Sequence, residues 1–205
     1  MINIKEQEEL LKLITDYLEE DLICVAIGGT AMMFSGYKNT TKDIDLVFKN
    51  SSDRDIFIRT IKMLGYSEKS LTNVYDEKRA HHKNKPLLFT RGNERFDLFV
   101  KNIFGYELDL DKVTQRRDFL GKKKLTILVL SKEEIFLLKA ITSREKDFED
   151  MVTILKIEET LNWDLIIDLA LKQKDNNSWI LIDLEETLRK FKVPEKHLVR
   201  LYNLK

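Results

Sequence analysis

The sequence predicts an α+β fold, with strands and helices interleaved over residues 1–130 and a helical portion over residues 131–205. Three observations lead there. Apolar runs of strand length recur at Leu22–Ile27, Asp43–Phe48, Arg95–Val100 and Leu125–Leu130, bounded by glycine or polar turns. Stretches with helical spacing lie between them, as at Leu10, Leu11, Ile14 and Leu18. From Ser131 onward the chain reads as helical to its end.

Composition sets the outer bounds. A chain of 205 residues is one compact domain, or a domain with a helical appendage. Hydrophobic residues make up 43%, enough for a core, and 34% are charged, so the surface is heavily ionic. The 35 Lys and Arg balance the 35 Asp and Glu, so net charge gives no footprint of nucleic acid. Cys24 has no partner for an internal disulfide and reads as a small buried hydrophobe. One cysteine and three histidines argue against a structural zinc site. The first twenty residues are too charged for a signal peptide, and no apolar run approaches membrane-spanning length. The expectation is a soluble cytoplasmic protein with no membrane partner.

Taken in order, residues 4–20 carry a helical apolar stripe, and the strand Leu22–Ile27 ends in Gly28-Gly29. A short helix follows over Thr30–Ser35, stopped by Gly36. A polar loop from Tyr37 to Lys42 enters the strand Asp43–Phe48. Asn50-Ser51-Ser52-Asp53 is a helix start, and the helix should run to about Leu64 before Gly65. Residues 66–85 are polar and predict a short strand with a mobile loop or short helix. Pro86–Thr90 and Arg95–Val100 form a hairpin across Arg91-Gly92-Asn93-Glu94. A linking segment, 105–121, precedes the last strand, Leu125–Leu130. Ser131 with Glu134 makes a capping box, and helices are expected at about 132–143, 146–157, 163–174 and 181–191, with Pro194 ending the last.

The chemistry concentrates between Ile27 and Phe48. Asp43 and Asp45 are two apart on a strand, so they project to one face, with Ile44, Leu46 and Phe48 on the other. Adjacent carboxylates repel unless a cation sits between them, and hard oxygen ligands suit Mg²⁺ or Mn²⁺. Gly28 and Gly29 permit a sharp turn and a close approach of phosphate to the backbone at the start of the following helix. Alone, Gly-Gly is a turn and Asp-x-Asp a solvated strand edge. In sequence, the two imply metal-assisted phosphoryl or nucleotidyl transfer. A further acid, Asp97, sits among apolar residues in R-F-D-L-F-V, where a buried charge is costly unless paired or bound to metal. The alternative is an edge-strand Asp facing water. Lys139, Arg144, Lys146, Asp147 and Asp150 form a second charged cluster. On spacing alone it reads as a surface helix with ion pairs.

The order Gly28-Gly29, a spacer from Thr30 to Lys42, then Asp43-Ile44-Asp45 resembles the signature of the nucleotidyltransferase superfamily related to DNA polymerase β. The words G-G-T-A-M-M-F-S-G and T-K-D-I-D-L look most like its minimal branch, which includes AbiEii-type toxins of toxin–antitoxin systems. The resemblance implies a mixed β-sheet nucleotidyltransferase core over 1–130, flanked by helices, with 131–205 packed on it. It implies that Asp43, Asp45 and Asp97 hold Mg²⁺ or Mn²⁺, and that Gly28, Gly29 and Thr30 cradle the triphosphate of an NTP. In AbiEii-like proteins a lysine and then R-x-K-D-x-x-D follow the third carboxylate strand; here these are Lys139 and Arg144 to Asp150. By resemblance Lys139 contacts the phosphates, Asp147 supports the active site, and Arg144 and Asp150 hold the helix. The chain departs from the pattern at Asn39, where many relatives carry an arginine.

The implied reaction moves a nucleoside monophosphate to a hydroxyl of an RNA 3′ end, a protein or a small molecule such as an antibiotic. A toxin of this kind would have a cognate antitoxin. The rival expectation is a non-catalytic nucleotide- or protein-binding module of a two-protein system. Basic and aromatic residues mix at Lys69–Lys85 and at Gln115–Lys124; the second reads as an RNA-contacting patch or, more simply, as a solvated basic loop. His81, His82 and His197 lie in polar surroundings and do not suggest a hydrolase.

Overall fold

The computed structural model describes residues 1–70, 85–176 and 179–202. Two compact units result: Met1–Ile103 with Leu108–Leu130, and Phe104–Glu107 with Ser131–Lys205. The first unit contains β1 (Ile2–Asn3), α1 (Ile4–Thr15), β2 (Leu22–Ala26), α2 (Gly28–Phe34), β3 (Thr40–Thr41), β4 (Ile44–Phe48), α3 (Ser51–Met63), β5 (Ser67–Lys69), β6 (Leu87–Arg91), β7 (Glu94–Val100) and β8 (Asn102–Ile103). After β9 (Tyr106–Glu107) of the second unit come β10 (Gln115–Leu120) and β11 (Lys124–Val129). The second unit continues with α4 (Lys132–Thr142), α5 (Glu145–Ile157), α6 (Trp163–Leu171), α7 (Trp179–Lys190) and α8 (Glu195–Tyr202). The fold is therefore α+β, with a seven-stranded mixed sheet in the order β10-β11-β2-β4-β7-β6-β5 and a helical C-terminal part.

Local chemistry sets the helix starts. The Asn3 side chain accepts from Glu6 N at 2.9 Å while Glu6 returns the bond to Asn3 N, so α1 opens in a capping box. Asn50 caps α3 by accepting from Asp53 N at 2.8 Å. Ser131 and Glu134 close the expected box on α4. Gly36 takes φ +80° after α2, and its N–H and that of Tyr37 satisfy the carbonyls of Met33 and Met32. Helix α1 stops at Thr15, short of the expected residue 20. There the Thr15 carbonyl accepts from Lys123 N and the Asp16 carboxylate from Lys122 N, so the β10–β11 turn takes over the helix end.

Two further elements differ from expectation. The segment read as linker and basic loop holds β10, an edge strand paired antiparallel with β11. Its sequence, Gln-Arg-Arg-Asp-Phe-Leu, lacks apolar alternation because an edge strand is kept polar against unwanted pairing. A helix, α8, also resumes after Pro194. Proline at a helix start loses only an N–H that would have no partner there. Within residues 66–85 the expected short strand is β5; 71–84, including His81 and His82, lie outside the described residues.

The sheet sorts its side chains by parity. Phe48 of β4 and Phe96 of β7 share a face with Ile44, Leu46 and Leu98, all at most 1% exposed. Phe57 of α3 packs between the two rings, at 5.3 Å from Phe48 and 5.5 Å from Phe96. Tyr66 adds an edge contact to Phe96 at 5.1 Å. Helix α3 thus covers the even-numbered face, and Asp45, Arg95 and Asp97 fall on the opposite one. In the second unit Phe136 packs against Trp163 and Phe191, and Ile154, Ile166, Ile180 and Leu184 are fully buried. The Gln173 amide exchanges two 3.0 Å hydrogen bonds with the backbone of Glu107, tying β9 to the end of α6. No helix among the described residues is long and apolar enough to cross a membrane.

Candidate functional site

Strands β4 and β7 run parallel with Asp45 directly opposite Asp97. That register brings the third acid beside the acid pair, although some fifty residues separate them in sequence. Asp97 is 2% exposed on an interior strand, so the reading of a solvated edge acid does not describe it. Asp43 precedes β4 and is about one-quarter exposed.

The three acids share one cation that the sequence reading did not single out. Arg95 lies two residues before Asp97, hence on the same strand face. Its Nε donates to Asp97 Oδ1 at 2.6 Å and its Nη2 to Asp97 Oδ2 at 2.7 Å, a two-pronged fork. The same Nη2 is 3.0 Å from Asp43 Oδ2. Burial works against the guanidinium charge, but the hydrogen bonds to Asp97 and the fields of Asp97, Asp43 and Asp45 outweigh it and raise its pKa. The i, i+2 spacing in Arg-Phe-Asp was the available signal.

The glycine turn packs against these acids. Gly28 takes φ +56°, and a Cβ there would fall 2.5 Å from Asp45 Oδ2. A Cβ on Gly29 would fall 2.2 Å from Thr41 Oγ1. Position 28 therefore requires glycine for its contact with the acid strand and position 29 for its contact with β3, apart from any approach of phosphate. Thr30 is fully buried and serves the acid strand. Its hydroxyl accepts from Asp45 N at 3.0 Å and donates to Asp43 O at 3.4 Å. Ile27 N completes the tie by donating to Asp45 O at 3.1 Å.

Three carboxylates on neighbouring strands suit a hard divalent ion in donor chemistry and in register. As the side chains stand, no group of three or more His, Cys, Asp or Glu among the described residues is placed to hold one. Both Asp97 oxygens accept from Arg95, which takes one lone pair of each and sets a positive charge beside any ion that ligates the other. A cleft of about 380 Å³ adjoins the acids, lined by Lys42, Asp43, Thr90, Gly92, Asn93, Glu94 and Arg95 with Met1.

The second charged cluster lies in the helical unit. Helices α4 and α5 are separated by Ser143 in a left-handed conformation, φ +48°. Lys139 from α4 reaches Asp147 Oδ1 at 3.0 Å and Asp150 Oδ2 at 2.6 Å on α5, with all three side chains at most 5% exposed. Arg144 and Thr142 also bond Asp147, at 2.7 Å each. Burial alone would raise the Asp147 carboxyl; Arg144, Lys139 and Thr142 outweigh it and hold its pKa well below the usual range. The three expected residues do meet, across a helix break and inside the unit rather than along one surface face.

No protein-family model and no curated protein sequence matches the chain. Among solved structures it is similar to the antibiotic-resistance factor ANT(2″)-Ia, in a crystal structure with adenylyl-2″-tobramycin: 15% identity over 77% of this chain and 88% of that one, TM-score 0.44. A solution structure of ANT(2″)-Ia gives 17% identity over 66% and 75%, TM-score 0.40. JHP933 from Helicobacter pylori gives 12% identity over 96% and 88%, TM-score 0.43.

Proposed function

We propose that this chain is a metal-dependent nucleotidyltransferase, moving a nucleoside monophosphate from an NTP to a hydroxyl acceptor. The observation that carries the reading is Asp45 of β4 opposite Asp97 of β7, with Asp43 just before β4 joined to Asp97 through Arg95 and Gly28 closed against Asp45. Those three carboxylates would hold Mg²⁺ or Mn²⁺. Such an ion, when bound, polarises the phosphate and lowers the pKa of the attacking hydroxyl. Thr30 and Ile27 fix the strand that presents Asp43 and Asp45. Gly28 lies against Asp45, and the Gly28-Gly29 turn would cradle the triphosphate beside the acids. The acceptor oxygen bonds to the α-phosphorus, the bond to the pyrophosphate oxygen breaks, and the hydroxyl proton passes to water. Lys139 is assigned here to the α4–α5 pair, because a phosphate contact would remove it from two buried carboxylates.

The acceptor in this reading is an RNA 3′ end or a protein hydroxyl, with the chain acting as the toxin of a toxin–antitoxin pair. A second reading, a non-catalytic module, is favoured by the hold of Arg95 on Asp43 and Asp97. Label transfer separates them. Purified protein is incubated with each NTP labelled on the α-phosphate, Mg²⁺ or Mn²⁺, and a cell extract, beside Asp45→Asn. Label in RNA, protein or a small molecule that vanishes in the variant supports the enzyme and names its acceptor class. No label with any nucleotide supports the module.

A further inference from the structure

We propose that Arg95 is the resident counter-ion of the acid site, a built-in cation that a divalent ion must displace from Asp97 and Asp43 before it can bind there. The inference rests on the reading of Asp43, Asp45 and Asp97 as the metal-holding set, and adds a control on access to it.

The first argument is exclusivity. The guanidinium takes both oxygens of Asp97 and one of Asp43. One lone pair of each Asp97 oxygen thus points at Arg95, and a metal ion ligated by the remaining ones would sit against the guanidinium charge. The two cations therefore compete for Asp97. The second argument is need. The Asp97 side chain is 3% exposed, and a carboxylate so far from water requires a charged partner at all times. Arg95 meets that need with two hydrogen bonds to Asp97. The third argument is mobility. Arg95 cannot leave by losing its proton, so it must move, and its placement allows this. Its side chain is 28% exposed and lines the cleft beside Asp43 and Glu94, while Asp97 stays buried. A single positive charge on a flexible stem is what a doubly charged ion can replace.

Competition has a measurable sign. An ion that binds only after Arg95 has moved shows an affinity reduced by the fraction of molecules in which the site is open. Removing the guanidinium should tighten metal binding, whereas a merely structural arginine would weaken it or leave it unchanged. The probe is Mn²⁺ alone, added to chelator-stripped full-length protein, with free aqueous Mn²⁺ read by electron paramagnetic resonance. Arg95→Gln is expected to bind Mn²⁺ about tenfold or more tightly than wild type, with Arg95→Lys in between. Arg91→Gln makes the same change of charge beside Glu94 and should stay within about twofold of wild type, which isolates the local effect. Mn²⁺ should also raise the melting temperature of Arg95→Gln more than that of wild type.

Equal or weaker binding in a cooperatively melting Arg95→Gln overturns the counter-ion and leaves the metal site standing. Should that variant fail to fold, an Arg95→Lys affinity equal to wild type overturns it. Absence of Mn²⁺ binding to wild type and variants alike overturns both this inference and the metal-dependent reading beneath it.

Discussion

Replacing Lys139 with Met tests whether this residue serves the fold or the substrate. The change keeps the length and apolar stem of the side chain but takes the ammonium from two carboxylates bonded at 3.0 and 2.6 Å. Both acids are at most 4% exposed, so water cannot take over. Breaking a buried pair from one side costs about 3–5 kcal/mol. Asp147 keeps Arg144 and Thr142, which places the expected loss near the lower end, about 3 kcal/mol. Guanidinium unfolding monitored by circular dichroism reads it as a lower midpoint at unchanged slope. Adding Asp150→Leu should return part of the loss, because the second charge then no longer needs a partner. A loss under about 1 kcal/mol, the value of an exposed pair, would refute the reasoning. Weakened NTP binding at intact stability would instead return Lys139 to the phosphate role that the family resemblance implies.

Three further outcomes are expected. Because the folded Asp147 carboxyl lies below its ordinary value, its contribution is present above the unfolded pKa of about 3.9 and is lost as pH falls through the folded one; wild-type stability should drop below about pH 4, and less steeply in Asp147→Asn, in melts across pH. Thr30→Val takes the hydroxyl acceptor from the part-buried Asp45 N and should cost about 1–3 kcal/mol and most of the transfer activity, while Thr30→Ser should retain both in parallel melts and assays. Gly28→Ala combines φ +56° with a 2.5 Å clash on Asp45, so transfer should fall steeply for a stability loss of about 1–3 kcal/mol; unchanged turnover would deny the turn its role.

Much of this architecture is legible in the sequence because local chemistry writes it. Asn50 and the Ser131–Glu134 box announce their helices by supplying acceptors for orphan N–H groups. Gly92-Asn93 joins β6 and β7 as the turn residues require. The acid pair is readable because a period of two puts Asp43 and Asp45 together. What was not legible depends on tertiary placement. Strand β10 has no apolar pattern of its own and exists by pairing with β11. The identity of its edge position belongs to the whole sheet. Thr30 looks like a phosphate ligand by motif position, yet its hydroxyl bonds the acid strand across the turn. The i, i+2 spacing puts Arg95 on the face of Asp97, but its meaning emerges only when register sets Asp45 opposite Asp97 and brings Asp43 within reach of the guanidinium. Burial decides the meaning of Lys139, and spacing cannot report burial when two helices meet through a left-handed Ser143.

The parallel pairing of β4 with β7 makes the site modular along the chain. Its acids are fixed by backbone register, Asp45 against Asp97, and not by the length of chain that joins them. Insertions between Phe48 and Glu94 therefore need not disturb the chemistry, since closing a longer loop adds only about 0.6 kcal/mol per doubling. A one-residue slip within either strand would instead turn an acid into the aromatic layer beneath α3. Natural variation in this architecture should accordingly be generous in length across that connection and intolerant of any single-residue shift within the two strands. An engineer seeking a place to graft a reporter or a recognition module would choose the connection for the same reason.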